Sequence, residues 1–74
     1  MRRTELITEE AAHETRTERT YLNRILTPGN NVYYVVIRLS PEEVRQDFHG
    51  TFEAARRQYN EYVPDNEALP FICE

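Results

Sequence analysis

The chain has one cysteine, no lysine, no tryptophan and only two glycines among its 74 residues. Cys73 has no second cysteine with which to form an intramolecular disulfide or a multi-cysteine metal site, so we expect a reducing compartment. No apolar run approaches the roughly 20 residues of a membrane-spanning helix. Met1-Arg2-Arg3 is followed by polar residues, where a signal peptide would have an apolar stretch. We therefore expect a cytoplasmic protein.

The charge pattern argues against a protein that binds nucleic acid without regard to sequence. Charged residues make up 30% of the chain and the formal net charge is −4, with the excess acid in residues 27–74. All nine basic residues are arginine. We attribute this bias to a GC-rich coding genome, which suggests a bacterium or its phage and places the protein in the host bacterial cytoplasm.

The length allows one domain, residues 1–74, with a small core. Chains of this size bury only about 60% of their unfolded surface, so association with a partner would add stability. Strand pairing at a sheet edge would also allow a homodimer.

The strongest structural signal is residues 31–39, NVYYVVIRL, which predict a central β-strand. Six β-branched or aromatic residues follow one another there, between a Pro-Gly-Asn turn and Ser40-Pro41. With a period of two, Val35 and Ile37 share one face with Tyr33 and Leu39, and we expect both in the core.

The segment before this strand is predicted to be an amphipathic helix over residues 9–26 with Thr8 as its cap. Its middle, residues 13–20, is polar on all sides, so it offers little surface to bury. The alternative is a strand over residues 15–26, paired with residues 31–39 across the Thr-Pro-Gly-Asn turn.

The second half predicts two short helices. Ser40 at the cap, Pro41 at the first helical position and Glu43 three residues after the cap indicate a helix to about Phe48. Thr51 can cap a second helix, residues 52–62. Residues 68–73 are a candidate edge strand, because Pro70 is tolerated only at an edge. The fold class is therefore α+β: an N-terminal helix, a central strand, two short helices and a C-terminal edge strand.

No group of residues indicates an enzyme. His13 and His49 lack the further ligands of a metal site, and Cys73 lacks a base and a rigid surrounding. The carboxylates occupy positions that we expect to be exposed, where nothing separates their pKa values for acid and base roles. We expect no enzymatic activity and no cofactor.

The same carboxylates fit an acidic surface that binds a basic groove on a partner protein. Tyr34 lies on the strand face that ends in Arg38, and tyrosine with arginine is typical of interface centres. The predicted partner-binding residues are Tyr34, Arg38, Glu42, Glu43, Asp47, Asp65 and Glu67.

One pattern resembles the helix-turn-helix of excisionase-like and MerR-like proteins. Glu10-Ala11-Ala12 is similar to the start of the first helix, and residues 19–26, RTYLNRIL, are similar to the recognition helix. The resemblance implies that Arg16, Arg19 and Arg24 face DNA. The segment lacks the turn glycine and the apolar residues that join the two helices.

A second resemblance covers about 14 residues. Thr51, Glu53-Ala54 and Tyr62-Val63-Pro64 after a strand are similar to small phage proteins that inhibit the host RNA polymerase. Small size and acidity also fit anti-CRISPR proteins. The resemblance implies a non-enzymatic inhibitor, encoded by a phage or mobile element, that binds a host protein or ribonucleoprotein complex. We expect no direct sequence-specific binding to nucleic acid and no membrane binding. The alternative is the helix-turn-helix regulator.

Overall fold

The computed structural model describes residues 5–69, which form one antiparallel sheet and one α-helix. The strands are β1 (Leu6–Glu14), β2 (Arg19–Leu26), β3 (Val32–Leu39) and β4 (Val44–His49). The helix α1 (Phe52–Tyr62) follows, and then a 3-10 turn, Asp65–Glu67. The strand order in the sheet is β1-β2-β3-β4, so each strand pairs with the next along the chain.

The predicted central strand is confirmed as β3, which pairs with β2 on one side and with β4 on the other. Val35 is 3% exposed and lies in the core as expected, and its neighbour Val36 is 1% exposed. Ile37 is only partly buried. β-Branched residues suit this position because both neighbours present a pleated, half-buried surface to them.

The predicted N-terminal helix is wrong, because its residues form the β1–β2 hairpin. Residues 15–18, the middle of the polar stretch, form the hairpin turn, where the Thr15 hydroxyl accepts a hydrogen bond from the Glu18 backbone amide (3.0 Å). The alternative strand is correct in outline: β2 pairs with β3 across a turn in which Asn30 has a φ of 67°. Asparagine tolerates this left-handed conformation better than most residues do.

The predicted pair of short helices is also wrong, because residues 44–49 form β4 and a single α-helix follows it. Ser40 makes the hydrogen bond expected of a cap, accepting from the Glu43 amide at 3.1 Å. The Ser40 amide, however, donates back to the Glu43 carbonyl (2.9 Å), which closes a two-residue hairpin loop. The same local bond therefore starts a hairpin here and not a helix.

The segment after α1 is not an edge strand where the structure describes it. Ala68 and Leu69 lie outside any strand, and Leu69 is held by the Asn60 side chain, which accepts from its amide (2.8 Å) and donates to its carbonyl (3.1 Å). Residues 70–73 of the predicted strand lie outside the described residues.

The main core lies between α1 and one face of the sheet. Leu22 and Val36 stand opposite each other on β2 and β3 and pack against Ala55, Tyr59 and Val63. The Thr51 hydroxyl caps the helix by accepting from the Ala54 amide. Sheet and helix thus form two layers with a single filled interface.

We expect Leu22→Ala to lower the free energy of unfolding by about 2–5 kcal/mol, because it opens a cavity under Tyr59. Leu6→Ala is the matched control, since Leu6 is 60% exposed and Leu22 is fully buried. The control should change stability by less than about 0.5 kcal/mol. Urea unfolding measures both values, and equal losses would contradict the assigned core.

Candidate protein-binding surface

The sheet has a second face that no element of residues 5–69 covers. Side chains alternate along a strand, so the strand pairing assigns each residue to the helix-covered face or to the other one. We call the second one the open face. It comprises Ile7, Glu9, Ala12, Glu14, Arg19, Tyr21, Asn23, Ile25, Tyr33, Val35, Ile37, Leu39, Val44, Gln46 and Phe48.

The open face has an apolar centre. Val35 and Ile25 are 3% and 5% exposed, although neither belongs to the core cluster under α1. The rings of Tyr33 and Phe48 pack at a centroid distance of 5.8 Å over two adjacent strands. Ile7 and Phe48 remain 59% and 56% exposed. A contiguous apolar surface of this kind is typical of an interaction site.

Acidic groups border this face on its β1 side. The Tyr21 hydroxyl donates to the Glu14 carboxylate at 2.7 Å, and the Tyr33 hydroxyl donates to the Glu5 carboxylate at 3.3 Å. The hydrogen bond to Glu14 is the main cause of a raised pKa of Tyr21, whereas desolvation is the main cause of a raised pKa of Tyr33. Both tyrosines therefore stay neutral donors that tie the acidic border to the apolar centre.

The helix covers two of the predicted partner-binding residues. Tyr34 packs edge-on against Phe52 of α1 at a centroid distance of 5.7 Å. Arg38 donates to the Thr20 hydroxyl (2.9 Å), pairs with Glu18 (2.9 Å) and lies 4.9 Å from the centre of the Tyr62 ring. These contacts give both side chains a role inside the protein.

The five predicted acidic residues do not form one patch. Glu42, Glu43 and Asp47 lie at or beside β4, whereas Asp65 and Glu67 belong to the 3-10 turn. Glu67 is 4.0 Å from the His13 ring on β1, and β1 and β4 are the two opposite edges of the sheet. Partner binding by these residues stays a prediction, and any one partner would have to reach both edges.

Asp47 of this acidic set is tied to both the helix and its own strand. Its carboxylate accepts hydrogen bonds from the side-chain amide of Gln58 on α1 (2.6 Å) and from the Arg45 guanidinium (2.7 Å). The hydrogen bond from Gln58 is the largest cause of a lowered pKa of Asp47, followed in the same direction by Arg45, and together they outweigh desolvation. Gln58 also contacts His49 at 2.6 Å, so one side chain connects β4 to the helix.

The helix-turn-helix interpretation is wrong for this segment, since its residues are strands and a turn. Arg16 lies in the β1–β2 turn. Arg19 and Arg24 are on opposite faces of β2, with Leu39 and Tyr34 as their partners on β3. The three arginines therefore cannot line one face of a recognition helix.

The residues 5–69 contain no group of three or more His, Cys, Asp or Glu side chains that could hold a metal ion. None of their helices has the length and apolar character needed to cross a bilayer. What the open face offers chemically is an apolar surface bordered by carboxylates and tyrosine hydroxyls.

Sequence reasoning missed the open face because it assigned residues 40–48 to a helix. The local signal was ambiguous: Val44 and Phe48 are four residues apart, a spacing that places them on one face of a strand and also on one face of a helix.

No protein-family model, no curated protein and no solved structure matches this chain significantly.

We expect Gln58→Ala to raise the pKa of Asp47 towards its unperturbed value of 3.8, because it removes the largest cause of the lowering. A lowered pKa stabilises the fold above the unfolded-state value, and this stabilisation is lost as the pH falls through the folded-state value. The variant should therefore lose less stability than the parent between about pH 5 and pH 2.

Carboxyl chemical shifts measured by NMR across an acid titration report this pKa directly. Arg57→Ala is the control, since Arg57 is on the same helix and approaches Glu53 and not Asp47. An unchanged Asp47 titration in Gln58→Ala would contradict the assigned hydrogen bond.

Proposed function

We propose that this chain is a non-enzymatic protein-binding module whose open face is the contact surface. The observation that carries the proposal is the apolar centre of that face around Tyr33 and Phe48, which residues 5–69 leave uncovered. Large exposed apolar patches on small proteins are uncommon unless a partner covers them.

The partner is a protein with an apolar patch bordered by arginine or lysine. Glu5 and Glu14 border the open face through their bonds to the tyrosines, Glu9 stands opposite Asn23, and the whole chain carries a net charge of −4. Complementary charge accelerates association and disfavours wrong partners, while the buried aromatic centre supplies most of the binding energy.

This chemistry supports the inhibitor function. Complexes that handle nucleic acid hold phosphates in basic channels, and an acidic protein with an apolar centre complements the rim of such a channel. Our proposal is that the chain blocks a host RNA polymerase or CRISPR effector. The suggestion of a phage or mobile-element origin derives from the sequence resemblance at Thr51, Glu53-Ala54 and Tyr62-Val63-Pro64.

The test compares Ile7→Arg with Leu6→Arg as immobilised baits, each against purified bacterial RNA polymerase and a purified CRISPR effector complex. Leu6 and Ile7 are neighbours on β1 that are 60% and 59% exposed and point to opposite faces of the sheet. The two variants thus carry the same new charge at the same exposure. We expect Ile7→Arg to weaken binding at least about tenfold, because it places a cation in an apolar contact.

Leu6→Arg should bind and inhibit as the parent does. Inhibition of transcription or of target cleavage, measured with the parent, Ile7→Arg and Leu6→Arg, connects binding to function. Equal binding by all three proteins would exclude the open face as the contact surface. If the parent bound neither of the two complexes, the inhibitor proposal would be overturned.

A further inference from the structure

The outer edge of β4 has unpaired backbone groups that follow a regular pattern. Ser40 and Glu43 exchange two backbone hydrogen bonds and so form a hydrogen-bonded pair. Such pairs alternate with non-hydrogen-bonded pairs along antiparallel strands. Arg45, Asp47 and His49 therefore direct their backbone amides and carbonyls to β3. The amides and carbonyls of Val44, Gln46 and Phe48 consequently point away from the sheet. Among residues 5–69 no strand pairs with this edge, because β4 is the last in the strand order.

The sequence of β4 is complementary to itself in one antiparallel register. With Gln46 opposite Gln46 of a second copy, Val44 faces Phe48 and Arg45 faces Asp47. Glu43 then faces His49. Every pair joins residues that point to the same face of the sheet, and the outward amides and carbonyls of 44, 46 and 48 meet as hydrogen-bonded pairs.

The neighbouring registers are unfavourable. Centring the pairing on Arg45 or on Asp47 places two like charges directly opposite each other, which destabilises a strand pair. Either shift also centres the new pairing on a residue whose backbone amide and carbonyl already face β3, so that residue cannot hydrogen-bond to the second copy. Centring on Val44 or on Phe48 would also pair outward amides and carbonyls, but it would join only one or three residues of each β4 strand. The Gln46 register pairs residues 44–48 of one copy with residues 44–48 of the other.

The exposed side chains on β4 are those that this pairing would cover. Val44 and Phe48 are 81% and 56% exposed, and the Arg45 side chain is 54% exposed. Arg45 contacts Asp47 (2.7 Å) of its own strand and Glu43 (4.0 Å) of the preceding loop, and the second copy would present another Asp47 to it.

The opposite edge of the sheet is protected by comparison. β1 has an irregularity in its pairing between Glu9 and Ala11, and it carries Glu9, Glu10 and Glu14. Bulges and charged residues are the usual means by which edge strands avoid pairing with other chains. β4 has no bulge in its pairing with β3, and its charges alternate in sign.

We infer that two copies of this chain pair through β4, in antiparallel orientation about Gln46, to form a continuous eight-stranded sheet. The twofold axis is perpendicular to the sheet, so both helices lie on one side and both open faces lie on the other. The inference does not depend on the proposed function, since the dimer can form whether or not another protein binds the open face.

The first test measures self-association by sedimentation equilibrium at protein concentrations up to about 1 mM, which covers the weak Kd values of small interfaces. The parent should form dimers. Gln46→Pro should weaken dimerisation at least about tenfold, because proline removes the outward amide that both copies use at the centre. Gln46→Val is the matched control that keeps this amide, and it should dimerise as the parent does.

The second test determines the register by cysteine cross-linking in a Cys73→Ser background. Opposite residues in a hydrogen-bonded antiparallel pair have Cα atoms about 5.5 Å apart, a distance that a disulfide spans. Gln46→Cys should therefore form a disulfide-linked dimer under mild oxidation. Val44→Cys should not, because the two copies of residue 44 would be about 13 Å apart along the strands.

The third test exchanges the charges. Arg45→Asp should weaken the dimer, because the introduced carboxylate would lie opposite Asp47 of the other copy. The double variant Arg45→Asp with Asp47→Arg should restore dimerisation.

A parent that stays monomeric at the highest concentration would overturn the inference, and so would equal cross-linking of Gln46→Cys and Val44→Cys. These outcomes leave the open-face proposal standing, since Ile7 and Leu6 are on β1.

Discussion

Leu22 and Val36 meet across β2 and β3 beneath the ring of Tyr59, and the helix is placed on the sheet by this contact. A sheet of four strands has two faces, and an 11-residue helix can cover only the central part of one. The chain nevertheless places apolar side chains on both faces of β2 and β3, with Ile25 and Val35 on the face away from the helix. The open face is therefore a direct consequence of the single α-helix that residues 5–69 provide for a sheet with two apolar sides.

Arg38 shows how the helix-covered face accommodates a charge near its margin. The Thr20 hydroxyl and the Glu18 carboxylate accept its hydrogen bonds, and Tyr62 provides an aromatic surface at 4.9 Å. A planar guanidinium can satisfy all three contacts at once, which a lysine could not. Arg38 thereby connects the β1–β2 turn to the end of α1. The tyrosine and arginine that composition assigns to an interface centre are used here to hold the protein together.

The sequence predicts β3 correctly because burial on both faces requires an unbroken run of β-branched and aromatic residues, a pattern that few other structures share. It misleads at residues 9–26 and 40–48, where the local signals fit a helix and a hairpin alike. The Ser40 hydroxyl, for example, accepts from the Glu43 backbone amide, a bond that a helix cap and a hairpin turn both use. What distinguishes them is the partner strand, which is remote in sequence. The open face depends on that pairing, so the local pattern of residues 40–48 could not reveal it.

The two surfaces that we assign, the open face and the β4 edge, share residues because of antiparallel geometry. Side chains alternate between faces with a period of two, and backbone groups alternate between the two sides of a strand with the same period. Every β4 residue with outward amide and carbonyl groups therefore points its side chain to the open face. Pairing through this edge would satisfy those backbone groups and, in the same step, bring Val44 and Phe48 of each copy together at the centre of a face twice as wide. An edge that served only to end the sheet would gain nothing from apolar residues at these positions, and a bulge or like charges would protect it better. β1 has that protection and β4 lacks it, so the asymmetry between the two edges is what favours β4 as the side at which another chain joins the sheet.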